Sequence, residues 1–207
     1  MEISTTFKNI IFDFGGVILN IDYKLTEQAF AKLGLCDFEK IHSQQAQEEI
    51  FNAFEMGRIS PAQFRNEIRK YIGSTTDDQI DTAWNSMLLD LPEERVVLLD
   101  KIKKSNRIFL LSNTNQIHFN SFSAYMENKF KRNIFSDVFE KVYVSHEVHM
   151  RKPGAEIFEL VVKENNLRKS ETLFIDDSIQ NIEGAKKIGL NTVFLKPGKS
   201  ILDVFTP

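Results

Sequence analysis

Four polar features of the sequence carry the residue types that chemistry on a phosphate ester requires. They are Asp13, Ser112-Asn113, Lys152 and Asp176-Asp177. Carboxylates brought close together repel one another unless a cation holds them, and their hard oxygen atoms are the ligands that Mg²⁺ prefers. An ionised aspartate needs a metal and a lysine to neutralise the charge of a phosphate dianion before it can attack. Taken together, the four features predict a phosphate ester site, provided that the fold brings them to one point.

Each feature also has an ordinary structural explanation when it is considered alone. Asp13 stands before Gly15-Gly16, where an acid commonly forms part of a turn. Asp177 and Ser178 are candidates for the N-cap of a following helix. Ser112-Asn113 is typical of a turn or a helix cap, and a lysine before a proline is typical of a solvated surface. Convergence of the four features is what would distinguish the functional interpretation.

Short apolar runs bounded by turn residues predict the strands that would bring the features together. The runs cover residues 8–13, 107–112, 141–145, 172–176 and 191–195, and helical patterns between them cover residues 154–166 and 178–188. Strands that are apolar on both faces are typical of parallel sheets, and the alternation predicts an α/β fold with right-handed crossovers. Because ligands bind at the carboxyl ends of parallel strands, Asp13, Ser112 and Asp176 are expected to meet at one edge. Lys152 precedes a helix and would reach the same edge from a loop.

Residues 22–90 show a different pattern, a succession of helical stretches without a convincing strand. The stretches cover residues 24–34, 37–56 and 76–89, with a further helix that begins at Ser60-Pro61. Ser60 and Gln63 form a capping box there, and Pro61 suits the first helical position. We therefore predict a core domain of residues 1–20 and 91–207, and a helical cap domain of residues 21–90 inserted after the first strand.

Composition and charge exclude several classes of partner. The net charge of −3 gives no basic surface for nucleic acid or an anionic membrane. We expect no signal peptide in the first residues and no membrane span. The single cysteine, Cys36, cannot form an internal disulfide, and no His/Cys set has zinc spacing. The sequence predicts a cytoplasmic protein, a monomer or weak homo-oligomer, that acts on a small molecule and not on nucleic acid or membranes.

The order of these motifs resembles the four motifs of the haloacid dehalogenase superfamily. DxGGV, SNT, RKP and FIDD follow one another over essentially the whole chain, with residues 20–90 at the place of that family's helical cap. The stretches DFGGVIL, LLSNTNQIH, MRKPGAEIF and FIDDSIQNIEGA are similar to a bacterial subgroup that includes alpha-D-glucose-1-phosphate phosphatase. The resemblance implies a Rossmann-like parallel sheet core with an inserted helical cap. It also implies a Mg²⁺-dependent phosphatase that hydrolyses a small phosphate monoester, such as the sugar phosphate glucose 1-phosphate.

The resemblance further implies a catalytic role for the motif residues. Asp13 would be the nucleophile and form an aspartyl-phosphate that water then hydrolyses. Ser112 and Asn113 would hold the phosphoryl group. Lys152 would orient Asp13 and neutralise charge.

The implied Mg²⁺ site draws on two of the motifs. Its ligands would be Asp13, the backbone carbonyl of Gly15, Asp176 and Asp177. Of the two adjacent acids, Asp177 is favoured as the direct ligand, while Asp176 would ligate directly or through water. The resemblance implies that Asn181 contacts the metal ligands and does not bind the metal itself.

Gly15 departs from the family pattern. Typical phosphatases of this superfamily carry a second Asp there, which protonates the leaving group and later activates water. A general acid contributes about 10²–10⁴-fold, roughly 3–5 kcal/mol of barrier. Its loss matters least for a weakly basic leaving group, so Gly15 favours sugar 1-phosphates, acyl phosphates or aryl phosphates over phosphates of ordinary alcohols. Four side chains are open as substitutes or pocket residues, although a structural or solvated role is commoner for each: His118, Asp22, Glu55 and Arg58.

Two other functions stay open. A 2-haloacid dehalogenase also uses an Asp nucleophile with no acid two residues later, but it needs no metal and has little use for Asp176-Asp177. A catalytically impaired protein that binds a phosphate ligand would also account for Gly15, although the other motif residues are all present. Chelator-insensitive halide release would indicate the first function, and tight binding without turnover would indicate the second.

Overall fold

Five parallel strands form the centre of the molecule. The computed structural model describes residues 6–35 and 45–205, except for the side chains of residues 45–48. The strands are β1 Asn9–Phe12, β2 Arg107–Ser112, β3 Lys141–Val144, β4 Thr172–Asp176 and β5 Asn191–Phe194. Their order across the sheet is β3-β2-β1-β4-β5, and every neighbouring pair is parallel. The predicted strands are all present, and the predicted α/β class is confirmed.

Helices account for most of the remaining described residues. They are α1 Tyr23–Lys32, α2 Gln45–Glu55, α3 Pro61–Ile72, α4 Asp77–Asn85, α5 Glu93–Ile102, α6 Gln116–Phe130, α7 Ile134–Val138, α8 Ser145–Val148, α9 Ala155–Glu164, α10 Ile179–Lys187 and α11 Ile201–Phe205. Helices α1–α4 lie between β1 and β2 in the chain, and we call them the helical insert. No helix of the described residues is long and apolar enough to cross a membrane.

The alternating side chains of β1 show how the sheet joins two hydrophobic layers. Ile10 and Phe12 belong to a cluster that includes residues of α5, α6, α7 and α11, whereas Ile11 belongs to a second cluster with residues of α9 and α10. All three side chains are fully buried, and complete burial of such a side chain stabilises a fold by about 1.5–3 kcal/mol. The strand is therefore anchored from both faces, which fixes the position of Asp13 directly after it.

The helical insert has a hydrophobic cluster of its own. Its aromatic centre consists of Phe30, Phe51, Phe54, Phe64 and Trp84, and Ile117 of α6 joins it from the core. Ser60 and Gln63 cap α3 reciprocally, as predicted, and a second capping box joins Thr76 to Gln79 at the start of α4. The predicted helix at 37–56 is present from Gln45 onward, while residues 37–44 of that stretch, and Cys36 before it, lie outside the described residues. The division of the chain into two domains stays a prediction.

The predicted helix at 76–89 is too long. Helix α4 ends at Asn85, and the residues after it pair with the chain that enters the insert. The amides of Asn20 and Asp22 donate to the carbonyls of Asp90 and Met87, each at 2.9 Å. These bonds replace the helical ones, so the two connections between insert and core run side by side.

Candidate active site

A buried lysine joins two acids at the carboxyl edge of the sheet. Asp13 follows β1 directly, and Asp176 is the last residue of β4. The Nζ atom of Lys152 donates to Oδ1 of Asp13 and to Oδ2 of Asp176, each at 2.7 Å. The side chains of Lys152 and Asp176 have almost no exposure to solvent, and that of Asp13 is 11% exposed. Residues from three distant parts of the chain therefore converge as predicted.

Asn113 holds the loop that carries Lys152. Its side-chain Nδ2 donates to the backbone carbonyl of Lys152 at 2.9 Å, and its Oδ1 accepts from the backbone amide of Lys152 at the same distance. This reciprocal pair occupies the side-chain amide of Asn113, and the predicted role of Asn113 at the phosphoryl group stays a prediction. The backbone amide of Asn113 and the side chain of Ser112, which ends β2 in a buried position, are left for that role.

Ser145 fixes the other end of the same motif. Its hydroxyl accepts from the amide of Thr114 and donates to the carbonyl of Thr114, at 2.8 Å in both cases. Both residues are buried. The turn after β2 is therefore held rigidly against α8, and preorganised donors of this kind are what a phosphoryl site needs.

Three carboxylates at this edge form a candidate metal site. Asp13, Asp176 and Asp177 each offer an oxygen atom, and these atoms lie within 4.8 Å of one another. An all-carboxylate donor set of this kind suits a hard cation such as Mg²⁺. The carbonyl of Gly15 as a further ligand stays a prediction.

Hydrogen bonds distinguish the two adjacent acids. Oδ1 of Asp176 accepts from the amide of Ser178 at 2.7 Å, and Asn181 donates to both oxygens of Asp176 at 3.1 Å. Since Lys152 also binds Oδ2, both oxygens of Asp176 are engaged. Asp177 is exposed and carries no such set of donors from the described residues, so its carboxylate is the freer of the two to bind a metal directly.

The charges of the site call for a second cation. Burial raises the pKa of Asp13 to about 7; Lys152 opposes this shift, and Asp176 and Asp177 add to it. Partial desolvation and the neighbouring Asp176 raise the pKa of Asp177 as well. Burial favours the neutral amine of Lys152, but Asp13 and Asp176 raise its pKa above the ordinary value. One ammonium group therefore stands against three acids, which a divalent cation would balance.

Ile21 occupies the space beside Gly15. A Cβ atom at Gly15 would lie 3.3 Å from Cδ1 of Ile21, at the entry to the insert. That contact is tighter than ordinary van der Waals packing. The side chain of Ile21 therefore leaves little room for a Cβ atom at position 15.

His118 is a structural contact and not a substitute acid. Its Nδ1 lies 3.1 Å from Nδ2 of Asn115, and its Nε2 lies 3.0 Å from the carbonyl of Trp84. The amide must donate to Nδ1, so the proton is assigned to Nε2, which donates to the carbonyl. The ring stacks on Trp84 with 4.8 Å between centroids, and burial lowers the pKa of His118 to about 4. A neutral imidazole with both nitrogen atoms engaged joins α6 to α4.

The other open side chains have different positions. Asp22 caps α1 by accepting from the amide of Lys24 at 3.0 Å, and Arg58 is exposed. Glu55, the last residue of α2, forms an ion pair of 2.9 Å with Arg151, the residue before Lys152. Of these three side chains, Glu55 is the one that contacts the segment carrying Lys152.

The sequence interpretation missed Tyr23 and the contact of Arg151. The ring of Tyr23 is 64% exposed at the start of α1. Desolvation and the charges of Asp13 and Asp177 raise the pKa of its hydroxyl above the ordinary value. An aromatic residue directly after a helix N-cap carries no signal of such a position. Arg151 stands within the RKP motif, but the motif does not show what its guanidinium contacts.

Similar proteins share the fold over most of this chain. The D-ribitol-5-phosphate phosphatase of Bacteroides thetaiotaomicron is 34% identical over 186 residues, which cover 89% of this chain and 90% of that enzyme. A crystal structure of a haloacid dehalogenase family enzyme from the same bacterium, in complex with magnesium and inorganic phosphate, is 38% identical with a TM-score of 0.87, covering 97% of this chain and 100% of that one. The L-2-haloacid dehalogenase of Xanthobacter autotrophicus is 18% identical with a TM-score of 0.60, over 91% of this chain and 77% of that one, and shares the fold alone.

The match to a protein family covers nearly the whole chain. It extends over residues 10–195, from β1 to the end of β5, and so includes the four motifs. The assignment made from those motifs is therefore confirmed: this chain belongs to the haloacid dehalogenase-like hydrolase family.

Proposed function

We propose that this chain is a Mg²⁺-dependent phosphatase that hydrolyses a small, hydroxylated phosphate monoester through an aspartyl-phosphate on Asp13. The observation that carries the proposal is the amine of Lys152, 2.7 Å from both Asp13 and Asp176, beside the third carboxylate of Asp177. This arrangement presents a nucleophile, a fixed positive charge and a carboxylate cluster for a cation at one edge of the sheet. Its cytoplasmic location and its monomeric or weakly oligomeric state stay predictions.

The residues of the chain divide the reaction between them. A carboxylate oxygen of Asp13 forms a bond to phosphorus while the bond from phosphorus to the ester oxygen breaks, and the electron pair leaves with that oxygen. The released ester oxygen takes up a proton from solvent. Water then forms a bond to phosphorus while the bond from phosphorus to the Asp13 oxygen breaks, which restores the carboxylate, and the proton that water loses returns to solvent. Lys152 holds Asp13 in place and offsets charge in both steps. Asp13, Asp176 and Asp177, together with the backbone carbonyl of Gly15, would hold Mg²⁺, which would neutralise charge on the phosphate dianion.

Relatives support both the ion and the class of substrate. Mg²⁺ is the cofactor predicted here, and an enzyme 38% identical to this chain crystallises with magnesium and inorganic phosphate. The relative that acts on D-ribitol 5-phosphate makes a sugar or sugar-alcohol phosphate the first class to test. Three carboxylates around one point would be a disadvantage in a metal-free dehalogenase, and the dehalogenase of Xanthobacter autotrophicus shares only the fold.

Gly15 and the relatives point to different leaving groups. Without an acid at position 15, a weakly basic leaving group such as that of glucose 1-phosphate is favoured. Ribitol 5-phosphate is instead an ester of an ordinary alcohol. A panel containing both kinds of ester separates the two.

The test is the release of inorganic phosphate with Mg²⁺ and again with excess EDTA. The panel contains ribitol 5-phosphate, glucose 1-phosphate, glucose 6-phosphate, acetyl phosphate and an aryl phosphate. Asp13→Asn is compared with Asp78→Asn, an exposed acid in the first turn of α4. We expect turnover that EDTA and Asp13→Asn abolish and Asp78→Asn leaves unchanged. Turnover that survives both EDTA and Asp13→Asn would contradict the proposal.

A further inference from the structure

The segment from His146 to Lys152 lies between the helical insert and the catalytic acids. On the insert side, the carbonyl of His146 approaches Gly57 so closely that a Cβ there would lie 2.1 Å from it. Nδ1 of His149 lies 2.9 Å from the carbonyl of Met56. Both contacts involve the turn that follows α2. The insert therefore rests on the segment that presents the catalytic lysine.

Arg151 makes two further polar contacts at this interface. One guanidinium nitrogen, Nη1, donates to Oδ1 of Asn52, and the other, Nη2, lies 2.9 Å from Oε2 of Glu55. Asn52 and Glu55 are neighbours on one face of α2, three residues apart. A planar guanidinium that contacts two acceptors fixes orientation as well as distance.

The next residue along the chain is clamped from the core side. The side chain of Asn113 binds the backbone amide and the backbone carbonyl of Lys152. The Nζ atom of Lys152 lies between Asp13 and Asp176. The backbone at 151–152 is thus held by α2 on one side and by the turn after β2 on the other. Loss of the contact with α2 would leave Asn113 as the main restraint on where the amine points.

The insert has a second and different attachment to the core. Trp84 and His118 are both buried, and their rings stack at 4.8 Å. Arg151 and Glu55 retain 35% and 28% exposure of their side chains. Ion pairs exposed to this degree are weak compared with buried aromatic contacts. The contact at α2 is therefore the one that can break while the insert stays attached through Trp84.

We propose that Arg151 is a positioning residue that couples the seating of α2 to the placement of the Lys152 amine between Asp13 and Asp176. The proposal rests on the proposed phosphatase function. The guanidinium does not contact the reacting atoms but fixes the backbone from which the lysine extends. The phosphoryl site is complete only while Arg151 contacts Asn52 and Glu55.

The kinetic test uses Arg151→Gln, Glu55→Gln, the double variant and Arg151→Lys. A displaced catalytic group costs about 10–100-fold in rate, so we expect kcat to fall by that factor in Arg151→Gln while KM changes little. The double variant should be no slower than Arg151→Gln because Arg151→Gln already removes the contact with Glu55. Arg151→Lys should recover part of the rate. Wild-type kcat in Arg151→Gln, or effects of the two single changes that multiply, would overturn the proposal.

A matched control distinguishes positioning from a general loss of stability. Arg132 pairs with Asp100 at similar exposure, 33% and 31%, and Asp100 belongs to α5, which carries no motif residue. Arg132→Gln should leave turnover unchanged. The fluorescence of Trp84, the only tryptophan of the chain, should keep its wild-type spectrum in every variant because its buried contact with α6 is untouched.

Hydrogen exchange tests, without any measurement of turnover, whether the contact with α2 holds residues 146–152 in place. We expect the amides of residues 146–152 to lose protection in Arg151→Gln and Glu55→Gln, and those of α4 to keep it. Unchanged protection of residues 146–152 in both variants would overturn the proposal. Lack of turnover by the wild-type chain on every ester would instead refute the phosphatase function, while the exchange data would still decide the coupling.

Discussion

Asp177 lies directly against the Cα atom of Gly16. A Cβ at Gly16 would be 2.0 Å from Oδ2 of Asp177, and the φ of Gly16 is +74°. The absence of a side chain at Gly16 thus lets the most exposed acid of the cluster approach the loop that follows Asp13. The second glycine of the GG pair therefore shapes the metal site.

Gly16→Ala should weaken Mg²⁺ binding because the new methyl group displaces the Asp177 carboxylate. Gly198→Ala is a matched control, since Gly198 has a φ of +78° and a Cβ there would meet no atom of the described residues within 4 Å. Both changes should cost about 1–2 kcal/mol of stability from the left-handed backbone. Calorimetric titration should show a higher Kd for Mg²⁺ in Gly16→Ala and an unchanged Kd in Gly198→Ala. Equal Mg²⁺ affinity in the two variants would contradict this role of Gly16.

Asn181→Ala should also weaken Mg²⁺ binding. Asn181 donates to both oxygens of Asp176 at 3.1 Å and so fixes the acid behind the metal site. Loss of such a supporting residue typically costs about 10–100-fold in metal affinity. The dependence of turnover on Mg²⁺ concentration measures the effect, with the exposed neighbour Gln180→Ala as control. An identical Mg²⁺ dependence in both variants would show that Asp176 needs no such support.

An acid introduced at position 15 should work only when Ile21 is shortened. Cδ1 of Ile21 lies 3.3 Å from the position of a Cβ at Gly15, and Cγ2 lies at 3.7 Å, an ordinary contact. Ile21→Val removes Cδ1. We expect Gly15→Asp with Ile21→Val to raise turnover of an alkyl phosphate relative to glucose 1-phosphate, by up to about 10²-fold.

Three comparison proteins are needed for that experiment: Gly15→Asp alone, Ile21→Val alone and the wild-type chain. Each should show a lower ratio of alkyl phosphate to glucose 1-phosphate turnover than the double variant. The same ratio in all four proteins would mean that leaving-group protonation does not limit this enzyme.

His118 should make the fold less stable in mild acid. Burial lowers its pKa from 6.5 to about 4 in the folded chain, so between these values the unfolded chain binds a proton that the folded chain does not. Stability is fully present above pH 6.5 and falls as the pH decreases towards 4, by on the order of 3 kcal/mol. Burial lowers the pKa of His146 in the same direction, which adds to the loss.

Urea unfolding at several pH values between 7.5 and 4.5 measures this dependence. His118→Gln should flatten the profile, whereas His149→Gln, a change at an exposed imidazole, should keep it. A profile as steep in His118→Gln as in the wild-type chain would assign the acid sensitivity to other groups.

The sequence was sufficient for the strands and the convergence of the acids, because both depend on regular rules. Apolar runs gave the positions of β1, β2 and β4, and the carboxyl ends of parallel strands necessarily share an edge. The capping box at Ser60 was equally local. The contact of the Asn113 side chain with the backbone of Lys152 was not predictable, since loop conformation decides the direction of that amide.

Non-local contacts were beyond sequence reasoning. The pairing of residues 20–22 with 87–90 shortened the predicted fourth helix of the insert, and it depends on two segments nearly seventy residues apart. The contact of Arg151 with α2 depends on how the insert sits on the core. The effect of Asp13 and Asp177 on the pKa of the Tyr23 hydroxyl is a further interaction between the insert and the core that the sequence did not predict.

The most direct test of the proposed aspartyl-phosphate is to trap the phosphoryl group on Asp13. The wild-type chain is mixed with Mg²⁺ and the best ester of the panel, quenched in acid within a single turnover, and digested for mass spectrometry. We expect one phosphoryl group on the peptide that contains Asp13. This phosphoryl group should be absent from the Asp13→Asn variant and from wild-type protein treated with EDTA. Phosphate release without any phosphorylated Asp13, or with the phosphoryl group on another residue, would contradict the proposed intermediate.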